Sequence, residues 1–293
     1  MTYVVVGAGP SGVVAAETLR KADPASEVVL IGNEPEPPYS RMAIPYYLTG
    51  KIDEAGTYLR KTDGHYDING IEYREGWVAS VDADTRRLAL EDGSSQDYSK
   101  LLICTGASPI KPPVDGLDTP GVHHCWTLED ARQIIDLAHK GAEVVLIGAG
   151  FIACIILEAL VERGVNLTVV EMEDRMLPRM MDETGGEMIK RWCEKKSVRV
   201  QTGVRVTKIQ QGDGADKDHL TVELDNGSQL PAHLVVVAAG VASNTSFLND
   251  SGVTVEEGIV VDNRLMSSVD GIYAAGDCAQ GPDFSTGGWS VHA

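Results

Sequence analysis

Two glycine-rich turns of one kind, GAGPSG at residues 7–12 and GAGFIA at residues 148–153, constrain this chain more than any other feature. Each follows an apolar, β-branched run that reads as a strand (residues 3–6 and 143–147). Each precedes a stretch with helical spacing of apolar residues (13–20 and 155–163). The glycines have separate tasks: the first allows the tight strand-to-helix turn, and the second lets backbone N–H groups approach a diphosphate. The third, Gly12 or the small Ala153, lets helix and strand pack closely, while the helix N-terminus adds partial positive charge. A second strand follows in each copy (27–31 and 166–170), and an acid, Glu34 or Glu171, stands roughly twenty residues beyond the loop, where it would accept ribose hydroxyls. One such loop is a weak signal; two in strand-turn-helix context with an acid are much stronger.

The repeat is larger than the loops. Residues 77–81 and 87–90 read as paired strands ending in Asp92-Gly93-Ser94, and 101–104 leads into Thr105-Gly106. Residues 205–209 and 220–224 precede Asn226-Gly227-Ser228, and 234–237 leads into Ala239-Gly240. The expected fold class is α/β, with two Rossmann-like domains, each a parallel sheet plus a β-meander, the second inserted in the first. Lys111-Pro112-Pro113 reads as a hinge. Strand-like residues 258–265 and GIYAAGD at 271–277 are expected to return to the first domain. The expected domains are 1–110 plus 243–293 as the first and 111–242 as the second. The helix after the second loop is apolar on nearly all sides, from Phe151, Ile152 and Ile155 to Leu160, which predicts burial all round.

A formal net charge of -18 repels a phosphate backbone, so nucleic acid is not an expected partner. The longest apolar runs, such as 234–242, fall short of the roughly 20 residues of a membrane helix. A strand beginning by Val4 leaves no room for a leader peptide. The 5 cysteines form no close pair, which points to a reducing cytoplasm without a disulfide framework or zinc site. Two dinucleotide loops in one chain imply a flavin dinucleotide beside a nicotinamide dinucleotide, with hydride passing between them.

In VVVGAGPSG, NEPEPPYSR, LLICTGASP, TLEDAR, VVLIGAGFIA, VVEMEDRMLPR, VVVAAG and GIYAAGD, in that order, the chain resembles the FAD-dependent pyridine nucleotide oxidoreductases. It is most similar to the ferredoxin, rubredoxin and nitrite reductase-type NADH reductases. The resemblance implies that Gly7, Gly9, Pro10, Ser11 and Gly12 cradle the FAD diphosphate and that Glu34 holds its adenosine ribose. It further implies Arg41 near the phosphates, Val78 at the adenine through its backbone, Thr105 and Gly106 closing over FAD, Arg132 as a further FAD contact, and Asp277 at the ribityl chain. Gly148, Gly150, Ile152 and Glu171 would bind NAD, with Gly240 beside the nicotinamide half. Glu171, with Glu173 and Asp174 close by, would repel an NADP 2′-phosphate and favour NADH; Arg175 and Arg179 leave a minority case for NADPH.

The activity implied is hydride transfer from NADH to flavin N5, then electron delivery to a redox protein or small molecule, with no side chain assigned as catalytic. An NADH oxidase reducing oxygen, or a flavin-binding electron-transfer or sensor subunit with a vestigial NAD domain, are the alternatives. Departures from the family pattern are specific. Residues 39–50 hold none of the cysteines of the disulfide-reducing branch. Tyr46 stands where ferredoxin and rubredoxin reductases carry a lysine, and Ile155 where relatives carry a glutamate. The resemblance also implies an interface domain, often dimer-forming, that is absent after Ala293, so a homodimer is expected only of a longer form.

Overall fold

The computed structural model describes residues 1–212, 219–283 and 285–291; His292 and Ala293, which close the expected first domain, lie outside the described residues. The apolar run TYVVV forms the strand Thr2–Val6 at the centre of a five-stranded sheet. Its strands run in the order Ile272–Ala274, Lys100–Ile103, Thr2–Val6, Glu27–Gly32, Glu72–Glu75, all parallel. Alternate side chains serve two cores. Val4 and Val6 join Val29, Ile31, Leu101 and Ile103 against Val81, Leu88 and Leu90 of an antiparallel meander. Val5, Val28 and Leu30 face the other way, onto Val13 and Ala16 of the helix Pro10–Ala22. A sheet covered on both faces needs apolar residues at every position, which is why these strands read as unbroken hydrophobic runs. Each fully buried Leu or Ile adds about 1.5–3 kcal/mol of transfer free energy.

The second half repeats the plan. Arg199–Thr202, Asn166–Glu171, Glu143–Ile147, Leu234–Val237 and Val122–His124 lie side by side, all parallel. A three-stranded antiparallel meander of Val206–Gln211, Leu220–Leu224 and Gln229–Ala232 covers one face, packing Ile209, Val222 and Leu224 on Val145, Val170, Val235 and Val237. The expected α/β architecture of two Rossmann-like domains is borne out.

Chain contacts divide the molecule into Met1–Ser40, Tyr58–Ser108 and Ala242–Ala293 as one unit, and Arg41–Thr57 and Pro109–Val241 as the other. The second unit thus interrupts the sequence of the first twice, and it takes the short excursion Arg41–Thr57 as well as the longer insertion. Within the second unit the short helix Ile44–Leu48 from that excursion packs on the helices Leu128–Leu137 and Phe151–Glu162. The Arg163 guanidinium fastens this group, donating to the carbonyls of Leu48 (2.7 Å), Ile135 (2.5 Å) and Ala138 (2.9 Å).

Two sequence expectations change. The helix Phe151–Glu162 buries Ala153, Ile156, Leu157, Ala159 and Leu160, but Phe151 is 55% exposed and Ile152 and Ile155 are only half-buried. The reason is position: the first turn lies beyond the carboxyl end of the strand Glu143–Ile147, past the sheet that covers the later turns. The predicted strand at 258–265 also shrinks to Ile259–Val260, because Asp262 turns the chain by accepting the N–H groups of Arg264 and Met266.

Candidate functional site

In both units the glycine loop and the acid that follows it lie at the carboxyl ends of parallel strands, the edge where open α/β sheets bind ligands. In the first unit Gly7 leaves its strand at φ +107, and a Cβ there would lie 2.1 Å from the Cys104 carbonyl oxygen. No other residue fits that turn. A Cβ on Gly12 would lie 1.8 Å from the Gly7 carbonyl oxygen, so close helix–strand packing also demands glycine. Gly9 is different: it is the helix N-cap, extended at φ -73 and ψ -177, and a Cβ there would meet nothing within 4 Å. Pro10 occupies the first turn, no side chain caps the helix and no acid lies in that turn, so no side chain neutralises the partial positive charge of this helix N-terminus.

Around that helix N-terminus the neighbouring strand ends converge. Gly276 sits beside Ser11, since a Cβ on it would be 2.7 Å from Ser11 Oγ, and the Asp277 carbonyl accepts from Ser243 Oγ at 2.9 Å. Thr105 and Gly106 are held by Asn244: Thr105 Oγ1 donates to the Asn244 carbonyl (2.8 Å), Asn244 Nδ2 to the Thr105 carbonyl (2.9 Å), and Asn244 N–H to the Gly106 carbonyl (2.9 Å). Asn244 escapes sequence reading because it carries no motif and lies 139 residues from Thr105. Glu34 follows the strand Glu27–Gly32 and accepts the Tyr39 phenol. Val78 turns its side chain into the core, leaving its main chain for any contact at the sheet edge.

The second unit holds the matching loop. Gly148 has φ +99, and its Cβ would lie 2.4 Å from the Ala238 carbonyl oxygen; Gly150 is the N-cap at φ -73 and ψ -173, again with nothing within 4 Å. Ala153, at the third position, is 1% exposed, small enough to be buried against the strand. Glu171 ends its strand 6% exposed, and its carboxylate does work the sequence does not reveal: Oε2 accepts the Ala149 N–H (2.6 Å) and Oε1 the Glu173 N–H (2.8 Å). It therefore ties the glycine loop to the strand end. Gly240, at φ +112, follows the adjacent strand and its carbonyl accepts the Ile110 N–H at 3.0 Å; Ile152 lies in the first turn of the helix.

Arg41 and Arg132 belong to the second unit rather than to the first. The Arg41 guanidinium lies 5.6 Å from the Trp126 ring centroid. Arg132 grips Glu54 with two nitrogens (2.9 and 2.8 Å) and reaches Glu129 with a third (3.1 Å). Arg175 is bound to Asp174 (2.6 Å) and to the Met181 carbonyl (3.0 Å). Tyr46 is 56% exposed on the helix Ile44–Leu48. All five cysteines are free, and burial pushes the thiols of Cys104 and Cys125 up to about 12 and that of Cys154 to about 11. No helix among the described residues is long and apolar enough to cross a membrane.

These residues fit dinucleotides. Each unit offers an uncapped helix N-terminus, a glycine whose missing side chain leaves open space, and an acid at the next strand end. The chain also has relatives among known proteins. The chain is 32% identical over 286 residues to the NADH-dependent phenylglyoxylate dehydrogenase subunit epsilon of Aromatoleum evansii, covering 97% of this chain and 66% of that protein. It is 30% identical over 296 residues to an NADH oxidase of Methanocaldococcus jannaschii, covering 98% and 65%. The chain thus spans just under two thirds of the length of these relatives. Among solved structures, the covalent putidaredoxin reductase–putidaredoxin complex matches with a TM-score of 0.93 at 26% identity, over 99% of this chain and 70% of that one. A family profile described as pyridine nucleotide-disulphide oxidoreductase matches residues 1–290, and the chain belongs to that family.

Proposed function

We propose that this chain is an NADH-dependent FAD oxidoreductase that passes electrons to a redox protein or a small molecule. The observation that carries the reading is the duplication of one loop geometry. Gly9 and Gly150 cap their helices at nearly the same backbone angles, (-73, -177) and (-73, -173), and each opens onto space that no protein atom fills. FAD falls to the first unit, where Gly7, Gly9, Pro10, Ser11 and Gly12 would receive its diphosphate, Glu34 its ribose, and Thr105, Gly106 and Asp277 its remaining length, with Val78 at the adenine. NADH falls to the second, on Gly148, Gly150, Ile152, Glu171 and Gly240. The two bound cofactors supply hydride transfer and release of electrons singly or in pairs; the protein binds and orients them.

Glu171 favours NADH over NADPH. A 2′-phosphate would meet a carboxylate that is itself pinned by two N–H bonds, and Arg175, a cation in reach by sequence, is already paired with Asp174. Arg41 and Arg132 are assigned to FAD on the family pattern. Thiols held high by desolvation support an acceptor route without thiol chemistry, and five free cysteines support a cytoplasmic location. Similarity to a reductase crystallised with its redox protein favours such an acceptor, and similarity to an NADH oxidase favours oxygen as the second reading. Anaerobic stopped-flow mixing tests the proposal: excess NADH is expected to bleach the oxidised flavin band. An unbleached band would overturn it. Peroxide yield compared with reduction of an added iron–sulfur protein then separates the two acceptors.

A further inference from the structure

Tyr39 is 4% exposed, and its phenolic O–H donates to Glu34 Oε2 at 2.5 Å. The ring cannot drift, because its main chain is clamped. Tyr39 pairs with Tyr58 in an antiparallel bridge, and the Leu59 N–H donates to the Pro38 carbonyl at 2.9 Å. This bridge closes the base of the excursion Arg41–Thr57, so a covalently distant segment sets the position of the phenol. Glu34, by contrast, lies half-buried on a bend past its strand, and a free glutamate there would sample several rotamers. Fixing such a side chain costs up to about 1.5–2 kcal/mol of rotamer entropy, a cost met on folding where a rigid donor already holds it.

We propose that Tyr39 is a positioning residue for the adenosine ribose of FAD. It orients the Glu34 carboxylate so that two hydroxyls on adjacent carbons find acceptors already aimed. A carboxylate has about four lone-pair sites, so the phenol bond takes up only one of them. The bond is charge-assisted and therefore among the stronger kinds. This inference rests on the reading of Glu34 as the ribose acceptor, and goes beyond it in naming what aims that acceptor.

The test measures how ADP and 2′,3′-dideoxy-ADP displace FAD from the full chain, so that only the FAD site is read. Tyr39→Phe keeps the buried ring and removes the phenolic donor. It is expected to weaken ADP roughly tenfold while leaving the dideoxy analogue unchanged. Glu34→Gln is expected to weaken ADP at least as much, and adding Tyr39→Phe to it should cost little more, because both act through one carboxylate. Equal loss for both nucleotides in Tyr39→Phe, or no loss for either, overturns the positioning role. Unchanged ADP binding in Glu34→Gln overturns the ribose reading itself, and the inference with it.

Discussion

Replacing Gly9 with alanine separates folding from cofactor binding, and the structure sets the size of each effect. The residue is extended, a conformation any side chain adopts, and its Cβ would touch nothing within 4 Å. Alanine is a poorer N-cap than glycine, a cost below about 1 kcal/mol, offset by about 0.4–1 kcal/mol from a less flexible unfolded chain. The melting temperature of Gly9→Ala should therefore move by no more than about 3 °C. The methyl group nonetheless fills the space by which a diphosphate would reach the helix N–H groups. Loss of one charge-assisted hydrogen bond, about 1.5–3 kcal/mol, weakens FAD by roughly ten- to a hundredfold. Gly7→Ala provides the contrast. At φ +107, with its Cβ 2.1 Å from a carbonyl oxygen, it should cost on the order of 2–6 kcal/mol in backbone strain and overpacking, and so fail to fold stably. Flavin fluorescence quenching gives the affinity and thermal unfolding the stability. A folded Gly9→Ala protein that binds FAD within about twofold of the parent would refute the diphosphate assignment. A Gly9→Ala protein as unstable as Gly7→Ala would refute the open space.

Other consequences are independent of that one. Glu171→Ala strands the buried Ala149 N–H, while the N–H of the exposed Glu173 can turn to water, so urea denaturation should show a loss of about 1–3 kcal/mol, together with weakened NADH binding in titrations. Glu17, on the helix Pro10–Ala22, accepts Arg60 through Nε (2.6 Å) and Nη2 (2.7 Å) and His65 Nε2 (2.8 Å); the Arg60 bonds chiefly hold its carboxyl down at about 2 against an ordinary 4.5. Its folded pKa is depressed, so its contribution is fully present above pH 4.5 and lost as pH falls towards 2. With solvent screening this amounts to about 1–2 kcal/mol, and Glu17→Gln should flatten stability against pH in that window, as followed by denaturant midpoints. His233 titrates below the usual imidazole range because of burial and the nearby His219 and His139, and its Nδ1 accepts the Glu143 N–H. Acidification through the ordinary histidine range should therefore cost stability that His233→Gln does not lose, measurable in the same denaturant series.

The duplicated architecture was legible in the sequence because its determinants are local. A β-branched run of four or five residues, a glycine at positive φ and a helix starting three residues after it are each written within a dozen positions. Copying them at 7–12 and 148–153 announced two domains of one kind. The acids Glu34 and Glu171 could be picked out for the same reason, since their spacing from the loop follows from the length of one helix and one strand. What each acid touches could not. The Tyr39 phenol on Glu34 depends on a bridge to Tyr58, and the bond from Ala149 to Glu171 depends on a loop folding back over a strand end. Neither leaves a mark in spacing or periodicity.

The same division explains the arginines and the helix after the second loop. Arg41 and Arg132 belong to motifs, but Trp126 and Glu54, the groups they meet, come from elsewhere in the chain. Phe151 counts as apolar in any periodicity, yet it stands exposed because the sheet ends before the helix does. Sequence by itself determined the number of domains, their layering and the glycines that open each loop, since backbone sterics and burial periodicity act between near neighbours. Only the tertiary structure decided which side chains hold the site in shape, such as Asn244 on Thr105 and Tyr39 on Glu34, and which unit receives the excursion Arg41–Thr57. Those contacts join residues far apart in the chain, and their partners are chosen by where the folded strands and loops end.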